Sequence, residues 1–204
     1  PGLAPDAIIV DHTTTQPAMT AERSRRLNAS GVRYLHCPVF IGPVAARAGT
    51  GTILVAGPKS LFDAVEAGLE RMATKVQYCG ERPDLAAVYK LCGNAFIIGS
   101  TAVVADVFAV ARGAGVPPDH ALTILEMFDP SAIIGGRGRR MAMGDFSPNF
   151  ELAMARKDVR RRTETASPLP LAALPSIAAR MDVLLAAGHG AEDMAVLGME
   201  VRST

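Results

Sequence analysis

The sequence carries no surplus of charge: 21 basic residues stand against 20 acidic ones in a chain of 204, for a formal net charge of +1. No global field of either sign follows, so bulk electrostatics draws in neither nucleic acid nor an anionic membrane, and a charged partner must be recognised locally. Cysteine is also scarce. Cys37, Cys79 and Cys92 lie in apolar surroundings without CxxC spacing, and their odd number argues against a disulfide framework and fits a reducing, cytoplasmic setting. His12, His36, His120 and His189 show no HExxH or other ligand spacing, so no metal is expected. No apolar run is expected to approach the ~18 residues that span a bilayer, and the N-terminus has neither a basic n-region nor an apolar h-region. No membrane partner and no export are expected.

What is present is core material. Hydrophobic residues make up 49% of the chain, enough to bury a substantial core in one large domain or two small ones. The first 80 residues change character repeatedly. Ala7-Ile8-Ile9-Val10-Asp11 reads as a buried strand opening into the polar loop Thr13-Thr14-Thr15, and Pro17 then starts a helix, roughly Ala18 to Ala29, with Arg23, Arg25 and Arg26 facing outward and Gly31 beyond its end. Strands follow over 32–38, 52–56 and 75–79, with a helix between the last two from Ser60, its cap, to about Met72. Alternating strands and helices require a sheet flanked by helices, and such sheets carry ligands in loops beyond the carboxyl ends of their strands. Thr13 to Gln16 and Val39 to Pro43 are two such loops.

From Pro83, placed in the first helical turn, one long helix is expected to run to about Ala114, weakened only at Gly93 and Gly99. Further helices are expected over about 119–127, 150–166 and 171–187, the last after the proline-rich turn Ser167-Pro168-Leu169-Pro170. The fold class is therefore α/β over 1–82 followed by an all-α domain over 83–204. Gly135-Gly136-Arg137-Gly138-Arg139-Arg140 has the composition of a phosphate or RNA cradle, but without interleaved aromatics it reads better as a solvated loop between helices.

One lysine stands out for chemistry. Lys90 lies in an otherwise apolar helical stretch, and Asn94, four residues on, shares its helix face. A partly desolvated lysine has its pKa lowered toward neutrality and suits proton transfer to or from a substrate oxygen. Periodicity alone equally allows a lysine that snorkels to water beside an asparagine bonded to a neighbour. A second pair, Lys157-Asp158, follows Phe150-Glu151-Leu152 in a later helix.

Together these segments resemble the β-hydroxyacid dehydrogenase family, which includes 3-hydroxyisobutyrate dehydrogenase and tartronate semialdehyde and glyoxylate reductases and is related to 6-phosphogluconate dehydrogenase. Asp11-His12-Thr13-Thr14-Thr15-Gln16-Pro17 is similar to the family's D-x-S-T-x-x-P loop, Cys37-Pro38-Val39 to the start of its A-P-V-S-G-G substrate loop, and Ala45 to Thr50 to the segment after it. Lys90 and Asn94 match K-x-x-x-N, and Phe150 to Asp158 matches F-x-L-x-x-x-x-K-D. The resemblance implies that 1–82 is part of a Rossmann-like dinucleotide-binding domain. It implies an NAD(P)-dependent oxidoreductase, with NAD or NADP as cofactor, acting on a hydroxyacid or semialdehyde. It implies Lys90 as general acid/base, Asn94 orienting the same oxygen, and Thr13, Thr14 and Lys157 at the nicotinamide end of the cofactor. Phe40, Ile41, Gly42, Phe150 and Asp158 are implied to shape the substrate site, and a homodimer or higher homo-oligomer is expected.

Three departures bear on that expectation. Phe40 and Ile41 stand where the family has serine and glycine, so donors for a substrate carboxylate are lost and a bulkier or uncharged ketone or imine becomes an alternative acceptor. Gly93 replaces a frequent asparagine. A Gly-rich phosphate turn is absent, since Gly49-Thr50-Gly51-Thr52 precedes a strand and has Leu54 where a third glycine belongs, so the chain is expected to begin partway through a cofactor domain. A non-catalytic dimerisation or interaction module derived from the same fold is the other alternative.

Overall fold

The computed structural model describes residues 2–4 and 6–201, which fall into two compact units divided between Ile97 and Ile98. The first unit is built on a five-stranded mixed sheet of β1 (Ile8–Asp11), β2 (Arg33–His36), β3 (Val39–Phe40), β4 (Thr52–Ala56) and β5 (Lys75–Gly80). The β1-to-β2 and β4-to-β5 pairs are parallel, each joined through a helix: α1 (Pro17–Ala29) and α3 (Lys59–Glu70). Between the two pairs the direction reverses. His36 pairs with Ala56, Val39 with Ile53 and Phe40 with Thr52, all antiparallel and in one register, so β2 and β3 form one bent edge along β4 on either side of Cys37-Pro38. The short helix α2 (Pro43–Arg47) follows.

The uninterrupted apolar run of β4 follows from burial on both faces. On one face Ile53 and Val55 pack with Leu35, Cys37, Phe62 and Leu69. On the other, Leu54 and Ala56 pack with Ala86 from the start of α4 (Leu85–Gly113), and Phe40, Cys79 and Leu85 join them.

The strands and the first helix lie where hydrophobic patterning puts them, but four local expectations fail. Arg23 does not face outward: it reaches Asp11. Ser60 does not cap α3, because Pro58 occupies that position and the helix is already under way at Lys59. Val39 and Phe40 are strand rather than loop, since the register of β2 continues past the proline. Pro83 lies in a turn two residues ahead of α4 rather than in its first turn.

In the second unit, the latter part of α4 is followed by α5 (Pro118–Leu125), α6 (Pro130–Ile133), a π-helical turn (Ile134–Gly138), α7 (Arg139–Met143), α8 (Leu152–Ala166), α9 (Leu174–Ala186) and a closing 3-10 segment (Met194–Val201). Leu152, Val159, Met181, Leu184 and Val196 form its core. The Gly135-to-Arg140 segment is thus helical, not a loop. Arg137 and Arg140 turn back to the buried carboxylate of Asp193, at 3.8 and 3.6 Å, so the charges that suggested a phosphate cradle are engaged internally.

Gly113 explains how α4 ends. A Cβ there would stand 2.0 Å from the Thr165 carbonyl oxygen, so only glycine permits this approach of backbone to backbone. Asp106, 2% exposed, accepts hydrogen bonds from the backbone N–H groups of Ala172 (2.6 Å), Ala173 (2.9 Å) and Leu174 (2.7 Å). It thereby delays the start of α9 from the expected Leu171 to Leu174 and supplies the cap that its own sequence lacks. Burial raises the Asp106 carboxyl pKa, and these three donors outweigh it and hold the group below the usual range.

By length and composition, α4 is apolar enough to cross a bilayer, contrary to the expectation from the sequence, and only 6% of its most apolar window is buried within the chain. Lys90, Asp106 and Arg112 break the helix into shorter uncharged runs, and its apolar character shows only over its whole length. Tyr89, Phe96, Ile98 and Val103 are among its exposed side chains.

Candidate functional site

The lysine on α4 is buried, at 8% exposure, and its Nζ donates to Asn94 Oδ1 at 3.0 Å, as the spacing of four within a helix requires. Above the ammonium lies the Phe40 ring, its centroid 4.0 Å from Nζ. Burial lowers the Lys90 pKa. A lysine in this setting is not snorkelling: its ammonium is held by an amide oxygen and an aromatic face, which favour the charge, while burial works against it and lowers the pKa.

Phe40 reaches that position because the helix opposite carries Gly93. A Cβ on residue 93 would lie 2.4 Å from Phe40 Cζ. Ile41, the next residue, faces the other way, as alternation along an extended strand dictates. It lines an open cavity of about 500 Å³ with His12, Val39, Arg47 and Arg71, and it is seated against Gly51, where a Cβ would fall 2.8 Å from Ile41 Cγ1. Phe40 and Ile41 therefore do not share one pocket. Gly42 is exposed and occupies the position before α2.

The loop after β1 is anchored by Asp11. Its Oδ1 accepts from the Thr13 backbone N–H (2.9 Å) and hydroxyl (2.6 Å), and its Oδ2 accepts from Tyr34 (2.6 Å) and Arg23 (2.5 Å). Burial works to raise the Asp11 pKa, but the donors prevail and hold it far below the carboxylate range. Tyr34, buried and donating to that carboxylate, is pushed up to about 12. Thr14 is exposed at the tip of the loop. Arg23 and Tyr34 were missed in the sequence, because nothing local marks which face of α1 meets which end of β2. His36 is 1% exposed, its ring has no hydrogen-bond partner among the described residues, and burial lowers its pKa, so it is a neutral core residue 3.9 Å from Asp11.

In the second unit, Phe150 precedes α8 rather than beginning it, and its N–H donates to Asp193 Oδ2 at 2.9 Å. Asp193 also accepts from the Ala195 N–H at 2.9 Å. Burial raises its pKa, but these donors and the arginines Arg140 and Arg137 lower it further. Lys157 lies beside Met154 and lines a shallow depression with Arg156, Arg160 and Asp182, in which Arg156 is paired with Asp182 through two contacts of 2.7 and 2.9 Å. Asp158 is half-buried on the same helix. The structure thus brings Lys90, Asn94 and Phe40 together in one unit and holds Phe150, Lys157 and Asp158 in the other.

Known proteins share this organisation. The family described as the NAD binding domain of 6-phosphogluconate dehydrogenase matches residues 1–80, and the family described as NAD-binding of NADP-dependent 3-hydroxyisobutyrate dehydrogenase matches residues 85–199. A 2-hydroxy-3-oxopropionate reductase of Escherichia coli (strain K12) is 28% identical over 164 residues, covering 80% of this chain and 56% of the relative. A mitochondrial 3-hydroxyisobutyrate dehydrogenase of Drosophila melanogaster is 27% identical over 187 residues, covering 85% and 57%. The chain thus spans little more than half the length of these relatives. A reductive aminase from Aspergillus terreus, solved with NADPH and ethyl levulinate, superposes with a TM-score of 0.84 at 19% identity over 96% of this chain and 70% of that one, a likeness of fold.

Proposed function

The chain belongs to the β-hydroxyacid dehydrogenase family, and on that premise we propose that it serves an NAD(P)-dependent oxidoreductase in which Lys90 moves the substrate proton. The observation that carries the reading is the buried Lys90 ammonium bonded to Asn94 at 3.0 Å. In reduction, Lys90 Nζ–H gives its proton to the oxygen of the carbonyl; in oxidation, the neutral amine takes it from the hydroxyl. Asn94 accepts from Lys90 through Oδ1 and keeps its NH₂ as a donor toward the same oxygen.

The donor set also fits the cofactor. Thr13 and Thr14 lie beyond the carboxyl end of β1; the Thr13 hydroxyl and N–H are spent on Asp11 and fix the loop, while the exposed Thr14 and the uncapped first turn of α1 offer donors where α/β sheets take ligands. Thr13, Thr14 and, by resemblance, Lys157 would hold the nicotinamide end. The bound cofactor supplies or accepts the hydride. Substrates of the hydroxyacid and semialdehyde class, the class named for the relatives, are the first to test. With the complete gene product, NAD(P)H consumption on 2-hydroxy-3-oxopropionate or methylmalonate semialdehyde is the expected result. Absence of turnover with both cofactors, alongside intact folding, would favour a non-catalytic module.

The exposed apolar side of α4 supports a second copy of this chain as partner. Lys90, Asn94 and Asp106 lie within that helix and are held by protein groups, which suits a helix covered by protein better than one facing lipid. Light scattering of the purified protein is expected to give a dimer or larger assembly, and a monomer at micromolar concentration would remove this part of the proposal.

A further inference from the structure

Two departures from the family pattern, Phe40 in the substrate loop and Gly93 on the helix, are a single structural event. The ring fits only because residue 93 has no side chain: an added Cβ would lie 2.4 Å from Cζ, 2.8 Å from Cε1 and 3.4 Å from Cε2. Thus the ring is inserted between strand edge and helix rather than folded over an open surface. It also packs with Leu54, Ala56 and Ala86, which fixes its position from below. The atom it confronts is Lys90 Nζ, at 4.0 Å from the ring centroid.

We propose that Phe40, seated in the space left by Gly93, is the specificity-determining residue of the Lys90 site, disfavouring a carboxylate on the carbon next to the reacting one and favouring an uncharged, apolar substituent there. The proposal rests on the reading of Lys90 as the proton-transferring group.

The physical argument concerns what the ammonium has left to offer. A carboxylate on the carbon next to the reacting one would gain from a nearby cation and from hydroxyl or backbone donors. Here the benzyl group takes one face of the cation and offers no hydrogen bond. The face of an aromatic ring carries partial negative charge, so it attracts the ammonium and repels a carboxylate placed beside it. A carboxylate brought close must also shed water against a ring and alkyl groups without recompense, which is costly. An alkyl or ester group in the same place loses nothing and gains contact with the ring. Discrimination against a substrate group left unpaired in such a site runs to several powers of ten, whereas discrimination by size alone is weak.

Ile41 does not share this role, since it faces the opposite side of the sheet against Gly51. The specificity of the Lys90 site therefore depends on one residue of the altered pair.

The test compares 3-hydroxyisobutyrate with its methyl ester, equal in skeleton and different in charge, on the complete gene product with cofactor present. Equilibrium binding is measured by calorimetry and turnover by NAD(P)H absorbance, for the wild type, Phe40→Ser and Phe40→Leu. The wild type is expected to bind the ester at least tenfold more tightly than the acid. Phe40→Ser should shift that ratio at least tenfold toward the acid, mainly through the acid's Kd and KM. Phe40→Leu, which keeps apolar volume and removes the aromatic face, should shift it by a smaller factor in the same direction and serves if the serine variant does not fold. A ratio unchanged in both folded variants overturns the proposal. A shifted binding ratio without turnover on either compound would instead leave Phe40 as the determinant of binding and remove the hydride-transfer reading.

A thermal double-mutant cycle tests the seating itself, with no reference to activity. Gly93→Ala should lower the melting temperature by several degrees, and Phe40→Ser should largely abolish that penalty when the two are combined. Additive losses would show that the ring and Gly93 are not coupled and would overturn the proposal.

Discussion

Replacing Lys90 by alanine is expected to lower kcat by about 10²–10⁴-fold, the usual contribution of a positioned acid or base, while cofactor affinity stays as in the wild type. The two readouts are separable because Lys90 contacts Asn94 and Phe40, not the loop after β1. Lys90→Arg is the more informative variant. It preserves the positive charge, but a guanidinium with a pKa above about 12 neither gives up nor recovers a proton at working pH. If Lys90 only attracted the substrate electrostatically, arginine would retain most of the activity; if it transfers a proton, arginine should be nearly as poor as alanine.

The pH profile gives the sign. Because burial lowers the Lys90 pKa, its amine becomes available below the ordinary lysine value of about 10.4. Oxidation needs the neutral form and should rise with pH through that lowered pKa, whereas reduction needs the ammonium and should fall through it. Loss of both limbs in Lys90→Ala, measured by steady-state assays in each direction, is the expected signature. Unchanged limbs in a folded variant would remove Lys90 from the chemistry.

The largest stability effect is expected at Asp106→Ala. This carboxylate receives three backbone N–H groups at the start of α9, and its removal leaves donors that the surrounding helices do not satisfy. At about 1–3 kcal/mol for a buried donor deprived of its partner, and with water able to reach the half-exposed turn from Ala172 to Leu174, a loss of roughly 2–4 kcal/mol is expected. Urea denaturation measures it. The acid limb provides a second reading. The folded-state pKa of Asp106 lies below the unfolded value of about 3.9, so its contribution is fully present above that pH and disappears as pH falls through the folded value. The alanine variant should lack that component, which makes its stability less dependent on pH as pH falls below the unfolded carboxylate value. A variant that unfolds at wild-type urea concentration would show that Ala172, Ala173 and Leu174 find other acceptors.

These two residues also show what the sequence discloses and what it withholds. Lys90 and Asn94 were legible as a pair because helical periodicity brings residues four apart to one face, but periodicity left a snorkelling lysine open, and it was the ordered family motifs that singled the pair out. Strands β1 and β4 were legible as short apolar runs, and β5 as an alternation of polar and apolar residues along one half-exposed strand. Asp106 was not legible. Its partners lie 66 to 68 residues later, and no local rule connects an aspartate inside an apolar helix to the start of another. Asp193 was hidden for the same reason: it holds Phe150 across 43 residues. The Gly135-to-Arg140 segment misled because glycines lower helix propensity, while the ion pairs that keep it helical are tertiary. Phe40 was placed in a loop because a two-residue strand has no periodicity of its own, and its seat depends on a glycine 53 positions away, a separation read directly from Phe40 and Gly93.

The bare outer side of α4 has one further consequence, for how durable the fold is at low abundance. If that apolar surface is closed by a second copy, part of the folding free energy is supplied by association and is subject to mass action. The midpoint of thermal unfolding then rises with protein concentration, and dilution alone weakens the protein without any change in its sequence or solvent.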